Sequence, residues 1–133
     1  MEGTALVKVR GYHLDGYQHV NHARYLELME EARWQLFDDH PEVFNHIMQQ
    51  NLAVVVVNIN IDYKSAAELG DTLRIHTHTM STSGKSITLK QQVFRDMDNN
   101  VVTDATVTIV LVDRNTGESQ LIDEEIKSLL QIT

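Results

Sequence analysis

Asp15 lies in a run, Asp15-Gly16-Tyr17-Gln18-His19-Val20-Asn21-His22-Ala23-Arg24-Tyr25, in which a turn carrying a carboxylate leads directly into a helical pattern. A carboxylate fixed beside the free backbone N–H groups of a helix start can attack a carbonyl carbon, or activate water to do so, while those N–H groups polarise the carbonyl oxygen. Those are two parts of an acyl-transfer site. At its ordinary pKa of about 3.9 an aspartate is ionised at neutral pH and available for either role. An Asp-Gly pair is also what any tight turn favours, so the chemistry depends on the segment downstream of it.

That downstream segment is periodic. Tyr25, Leu28, Met29, Ala32 and Leu36 recur at the spacing of one helical face, Asn21 is a suitable N-cap, and Asp38-Asp39-His40-Pro41 ends the pattern, giving a helix of roughly 25 Å. A second, shorter helix is predicted over 41–50 with Pro41 in its first turn. Most of the remaining sequence alternates. Strands are predicted over 4–10, 53–63, 72–81, 86–95 and 101–113, with Gly70, Gly84, Asn99-Asn100 and Gly117 in the turns, and a final helix over 123–131 opens at Asp123. In the 53–63 strand, alternation sets Val57, Ile59, Ile61 and Tyr63 on one face and Asn58, Asn60 and Asp62 on the other. The order of elements points to an antiparallel sheet curled around one long helix, a single α+β domain over 1–133, with open sheet edges where subunits can pair.

The composition narrows the chemistry. With no cysteine among 133 residues, disulfides, thiolate catalysis and Cys-ligated zinc are excluded. The formal charge of -8 opposes nonspecific binding to nucleic acid or an anionic membrane, so an anionic ligand must be met locally by Lys64, Arg74, Lys85 or Lys90. The longest aliphatic run, Val54 to Val57, is far too short to span a bilayer, and the chain reads as soluble and cytoplasmic. His13, His19 and His22 match no metal-ligand spacing, and His19 reads as a hydrogen-bonding group in the site or turn. Gly84-Lys85-Ser86 resembles the end of a phosphate loop, but Thr79 occupies the place of the required upstream glycine. Glu27, Glu30 and Glu31 rank behind Asp15 because they lie at least a turn farther from the free N–H groups. Val54 to Val57, Leu26, Met29 and Trp34 read first as core, some of them doubling as the wall of an acyl tunnel.

Tyr12-His13-Leu14-Asp15, His19-Val20-Asn21 leading to Tyr25, Glu30-Glu31-Ala32-Arg33-Trp34, the 55–61 segment, Ile61-Asp62-Tyr63-Lys64 and Leu69-Gly70-Asp71 together resemble the hotdog-fold acyl-CoA thioesterases of the 4-hydroxybenzoyl-CoA thioesterase type, over essentially the whole chain. The chain departs from that pattern at His22, where Asn is common, and at Ala66, where Pro is common. The resemblance implies a hotdog fold of about five curved antiparallel strands around one helix. It implies Asp15 as the catalytic carboxylate, a backbone amide at or near His22 as oxyanion donor, and no cofactor beyond the coenzyme A of the substrate. It also implies a homodimer or homotetramer with sites between subunits. Lys85 and Ser86, and less directly Lys64, become candidates for coenzyme A contacts. The function expected is hydrolysis of acyl-CoA, with long fatty acyl groups favoured. A hotdog hydratase or dehydratase, pairing Asp15 with His19, and a non-catalytic acyl-CoA-binding oligomer are the alternatives.

Overall fold

The computed structural model describes residues 1–131. In chain order the elements are β1 (Glu2–Lys8), a 3-10 turn (Gly11–His13), α1 (His22–Asp39), α2 (Pro41–Gln49), β2 (Leu52–Tyr63), β3 (Thr72–Ser83), β4 (Ser86–Arg95), β5 (Val101–Asp113) and α3 (Glu124–Leu130). The strands form one sheet in the order β1-β3-β4-β5-β2, every neighbouring pair antiparallel. It curls around α1, the hotdog arrangement that the resemblance implies.

Local chemistry sets most of these boundaries. The Asn21 side chain accepts from the Ala23 N–H at 2.9 Å and starts α1, whose buried face carries all five apolar residues of the predicted stripe. Asp123 caps α3 in the same way, accepting from the Ile126 N–H at 2.7 Å. Pro41 stands at the first turn of α2. Gly84, at φ 57°, closes the β3–β4 hairpin, whose two-residue turn lets β3 run two residues beyond its predicted end. β1 is displaced toward the N-terminus, because after Lys8 the Val9 N–H turns to the Asp71 carbonyl at 2.8 Å. It passes so close beneath α1 that a Cβ on Gly3 would stand 3.0 Å from Leu36 Cδ1.

β2 departs most from expectation. Its pairing with β5 slips between Val56 and Asn58, so Val57 is an extra residue at a bulge. Cross-strand partners share a face, and Val54, Val56, Ile59 and Ile61 oppose the buried Leu111, Ile109, Val107 and Ala105. Val56, not Val57, therefore belongs with Ile59, Ile61 and Tyr63 on the inner face. The core assignment fails for Val55, Val56 and Val57, for Leu26, and for Trp34, which is 51% exposed, whereas Met29 is fully buried. The cause is lateral: β2 is an edge strand, and α1 packs on β1 and β3 at the opposite side of the sheet.

The buried side chains fall into two clusters, one around Tyr25, Met29, Leu73 and Val93, the other around Leu36, Ile47, Leu89 and Leu111. A polar seam lies between them. Gln91, fully buried, donates to the Thr77 hydroxyl at 2.9 Å and the Met29 carbonyl at 3.0 Å, and accepts from Arg33 Nη1 at 2.9 Å. Gln91→Leu strips the Arg33 guanidinium and the Thr77 hydroxyl of this partner, so it is expected to destabilise the fold by about 2–3 kcal/mol, read as a lowered urea midpoint. A midpoint equal to that of the parent protein would show the seam to be energetically neutral.

Candidate active site

The turn before α1 is built around the Asp15 side chain. Asp15 Oδ1 accepts from the Tyr17 N–H at 2.8 Å and the His19 N–H at 3.3 Å, while the Asp15 N–H donates to the His19 carbonyl at 2.8 Å. One carboxylate oxygen is thus held by the backbone. Oδ2 takes no bond among the described residues and is left for chemistry. The left-handed residue that the reversal requires is Gln18, at φ 65°, rather than the neighbouring Gly16. Below the turn, His13 Nδ1 accepts from the Arg10 N–H at 2.9 Å, and burial pulls the imidazole pKa below its ordinary value. His13 is therefore neutral and structural, its carbonyl accepting from the Asn21 N–H at 2.9 Å.

At the start of α1 the tally of N–H groups singles out one donor. Ala23 is satisfied by the Asn21 side chain and Arg24 by the Asn21 carbonyl, at 2.9 Å each, and Asn21 donates to His13. The His22 N–H has no partner among the described residues, at the end of the helix where the dipole is positive. Its carbonyl is pinned from the other side by the Tyr63 hydroxyl, which donates at 2.9 Å. Tyr63 also meets the His22 ring edge-on and the Tyr25 ring at a tilt, with centroids 6.4 and 5.8 Å apart. Burial pushes the Tyr25 phenol up to about 12, so it remains protonated.

Asp15, His19, His22 and Lys64 line one open cleft of about 340 Å³, floored by Tyr25 and Tyr63. His19 Nε2 stands 3.9 Å from Glu68 Oε1, and Lys64 has no carboxylate within ion-pairing distance among the described residues. Lys85 and Ser86 are not brought to this cleft within one protomer. Ser86 pairs with Val110 and Tyr63 with Thr103, so the two ends lie roughly 23 Å apart along β5. Arg74 and Lys90 are engaged by Asp96 and Asp104, at 2.8 and 2.6 Å. Among the described residues no group of three or more His, Cys, Asp or Glu side chains is placed to hold a metal ion. Tyr63 is the site residue whose role the sequence hid; its aromatic character at the end of an alternating strand was the available signal.

A carboxylate with one free oxygen and a helix N–H with no partner, in a shared cleft, are the parts needed to form and stabilise a tetrahedral intermediate. Comparison with known proteins points the same way. A family model described as the thioesterase-like superfamily matches residues 9–130. The long-chain acyl-CoA thioesterase FadM of Escherichia coli K12 is 43% identical over 125 residues, 94% of each chain. The crystal structure of YbaW, a probable thioesterase from Escherichia coli, superposes with a TM-score of 0.90 at 42% identity, covering 96% of each chain. Slr0204, a 1,4-dihydroxy-2-naphthoyl-CoA thioesterase from Synechocystis, shares the fold at a TM-score of 0.84 and 16% identity, over 98% of this chain and 96% of its own.

Proposed function

The chain belongs to the thioesterase-like superfamily, and from that premise we propose that it hydrolyses acyl-CoA, with long fatty acyl groups preferred, to a free carboxylic acid and coenzyme A. The observation that carries the reading is the pairing of Asp15 Oδ2 with the free His22 N–H in one cleft.

The thioester oxygen accepts a hydrogen bond from the His22 N–H, and negative charge develops on it as the carbonyl carbon becomes tetrahedral. Asp15 supplies the attack in one of two ways. As nucleophile, Oδ2 bonds to the carbonyl carbon, the C–S bond breaks, coenzyme A leaves as thiolate, and water hydrolyses the resulting anhydride. As general base, Oδ2 takes a proton from the water that attacks. A thiolate is a good leaving group, so neither route needs a strong general acid. His19 holds the turn through its backbone, its N–H donating to Asp15 Oδ1 and its carbonyl accepting from the Asp15 N–H.

The adenine nucleotide end of coenzyme A is anionic, and Lys64 lines the cleft. Lys85 and Ser86 join it if β2 pairs antiparallel with β2 of a second copy. Such pairing sets the Leu52 end of one protomer, where the Gly84-Lys85 turn also lies, beside the Tyr63 end of the other. The exposed Val55, Val56 and Val57 on that edge support a homodimer of this kind.

The test is thiol release from a panel of acyl-CoAs. The chain has no cysteine, so every thiol detected is coenzyme A. Rapid release is expected. Hydration of an enoyl-CoA without thiol would favour the hydratase reading, and binding without either reaction a silent acyl carrier.

A further inference from the structure

Between α1, α2 and β2 lies a second cavity, of about 210 Å³, none of whose lining residues borders the Asp15 cleft. Its apolar walls include Trp34, Phe37, Phe44 and Val54, with the Phe44 ring centroid 5.5 Å from that of Phe37 and 6.2 Å from that of Trp34. The chain carries a formal charge of -8, yet two arginines, Arg33 and Arg114, border this space against a single carboxylate, that of Glu30. An apolar cavity of about 150 Å³ admits benzene, so this one has room for a ring, or a chain of similar bulk, and a short charged arm.

Neither of these arginines has a carboxylate within ion-pairing distance among the described residues, whereas Arg24, Arg74 and Arg95 each meet one, at 3.1, 2.8 and 3.0 Å. Arg114, on the exposed side, turns Nη2 to the Met48 sulfur at 3.5 Å. Arg33 is half-buried. Its Nη1 donates to the Gln91 Oε1, a neutral acceptor, at 2.9 Å, and its Nε and Nη2 make no bond among the described residues. Burial pulls the Arg33 pKa below its ordinary value, and the charge of exposed Glu30, one turn back on α1, opposes that shift. A guanidinium withdrawn from water without a counter-charge is stabilised by an anion that reaches it, and a carboxylate fits its paired donors best.

We propose that this cavity is a binding site for a small apolar monocarboxylate, its body against Trp34, Phe37 and Phe44 and its carboxylate on the free donors of Arg33, with Arg114 adding positive charge at the outer side. A neutral ligand of the same shape gains the apolar contacts but leaves the Arg33 charge uncompensated. Because the two spaces share no wall, such an acid and a ligand of the Asp15 cleft bind side by side.

Trp34 is the chain's single tryptophan and stands in the cavity wall, so its fluorescence reports occupancy. Titration at neutral pH with 3-phenylpropanoate and with octanoate, each beside the alcohol of the same skeleton, separates ring from chain and charge from shape. At least one acid is expected to give a saturable change, with its alcohol bound about ten-fold or more weakly, the order of effect that hydrogen bonds to a charged group carry. Arg33→Gln is expected to erase that difference. The acid–alcohol comparison is made on the parent protein and so decides the matter even where the variant misfolds. Equal binding of acid and alcohol by the parent, or no saturable change with either acid, overturns the assignment. Competitive inhibition of acyl-CoA hydrolysis by the acid overturns it too, because the acid would then lie in the path of the substrate. The titrations need no turnover, so failure of the hydrolase reading leaves this assignment to be decided by them alone.

Discussion

Asp15→Asn is expected to lower kcat on a long-chain acyl-CoA by about 10³-fold while KM stays near its parent value; the loss of a positioned base alone accounts for about 10²–10⁴. The substitution is conservative where the fold needs it to be. Asparagine still offers an Oδ1 to the Tyr17 and His19 N–H groups, so the turn is retained. The oxygen that no backbone group holds becomes an amide NH₂, which neither attacks a carbonyl nor accepts a proton from water. The measurement is steady-state thiol release with substrate binding followed separately. Turnover near the parent rate would take Asp15 out of the chemistry, whatever its place in the cleft.

His22→Pro addresses the other half of the site and is expected to lower kcat by about 10²–10³, the typical effect of losing one oxyanion donor. Proline is well suited to the first helical position, and Asn21, at φ -62° and ψ 138°, already holds the extended conformation that a proline at the next position imposes. The helix therefore persists without the N–H. His22→Ala removes the imidazole and its contact with Tyr63 but keeps the amide, so its rate is expected to stay far above that of the proline variant. Comparable rates for the two, with helix content intact by circular dichroism, would place the oxyanion donor elsewhere.

The elements that proved legible in the sequence are those whose signals are local. The period of α1 and its Asn21 cap, the glycine of the β3–β4 turn and the alternation of β4 and β5 all act over a few residues; α1, β4 and β5 begin and end where expected, and β3 runs only two residues farther into its turn. The carboxylate turn and helix start are equally local, which is why Asp15, His19 and His22 could be read as neighbours from the sequence and are found together in the cleft. What the sequence concealed depends on partners far along the chain. The bulge at Val57 sits beside a run of valines that carries no phase of its own, and only the pairing with Ile109 and Thr108 reveals it. Trp34 obeys the spacing of a core residue, yet whether it is covered depends on which side of the sheet α1 occupies. Tyr63 reaches His22 across 41 positions, and Arg33 reaches Gln91 across 58. No window of local pattern holds both members of either pair.

The extra residue in β2 stands outside the alternation of that strand. Deleting Val57 would leave Val56 opposite Ile109, Asn58 opposite Thr108 and Ile59 opposite Val107, restoring regular pairing with β5 while every other side chain keeps its face. Loss of one residue at this point is accordingly a change of length that such a strand can absorb without turning over, leaving the Asp15 turn and the His22 helix start where they are.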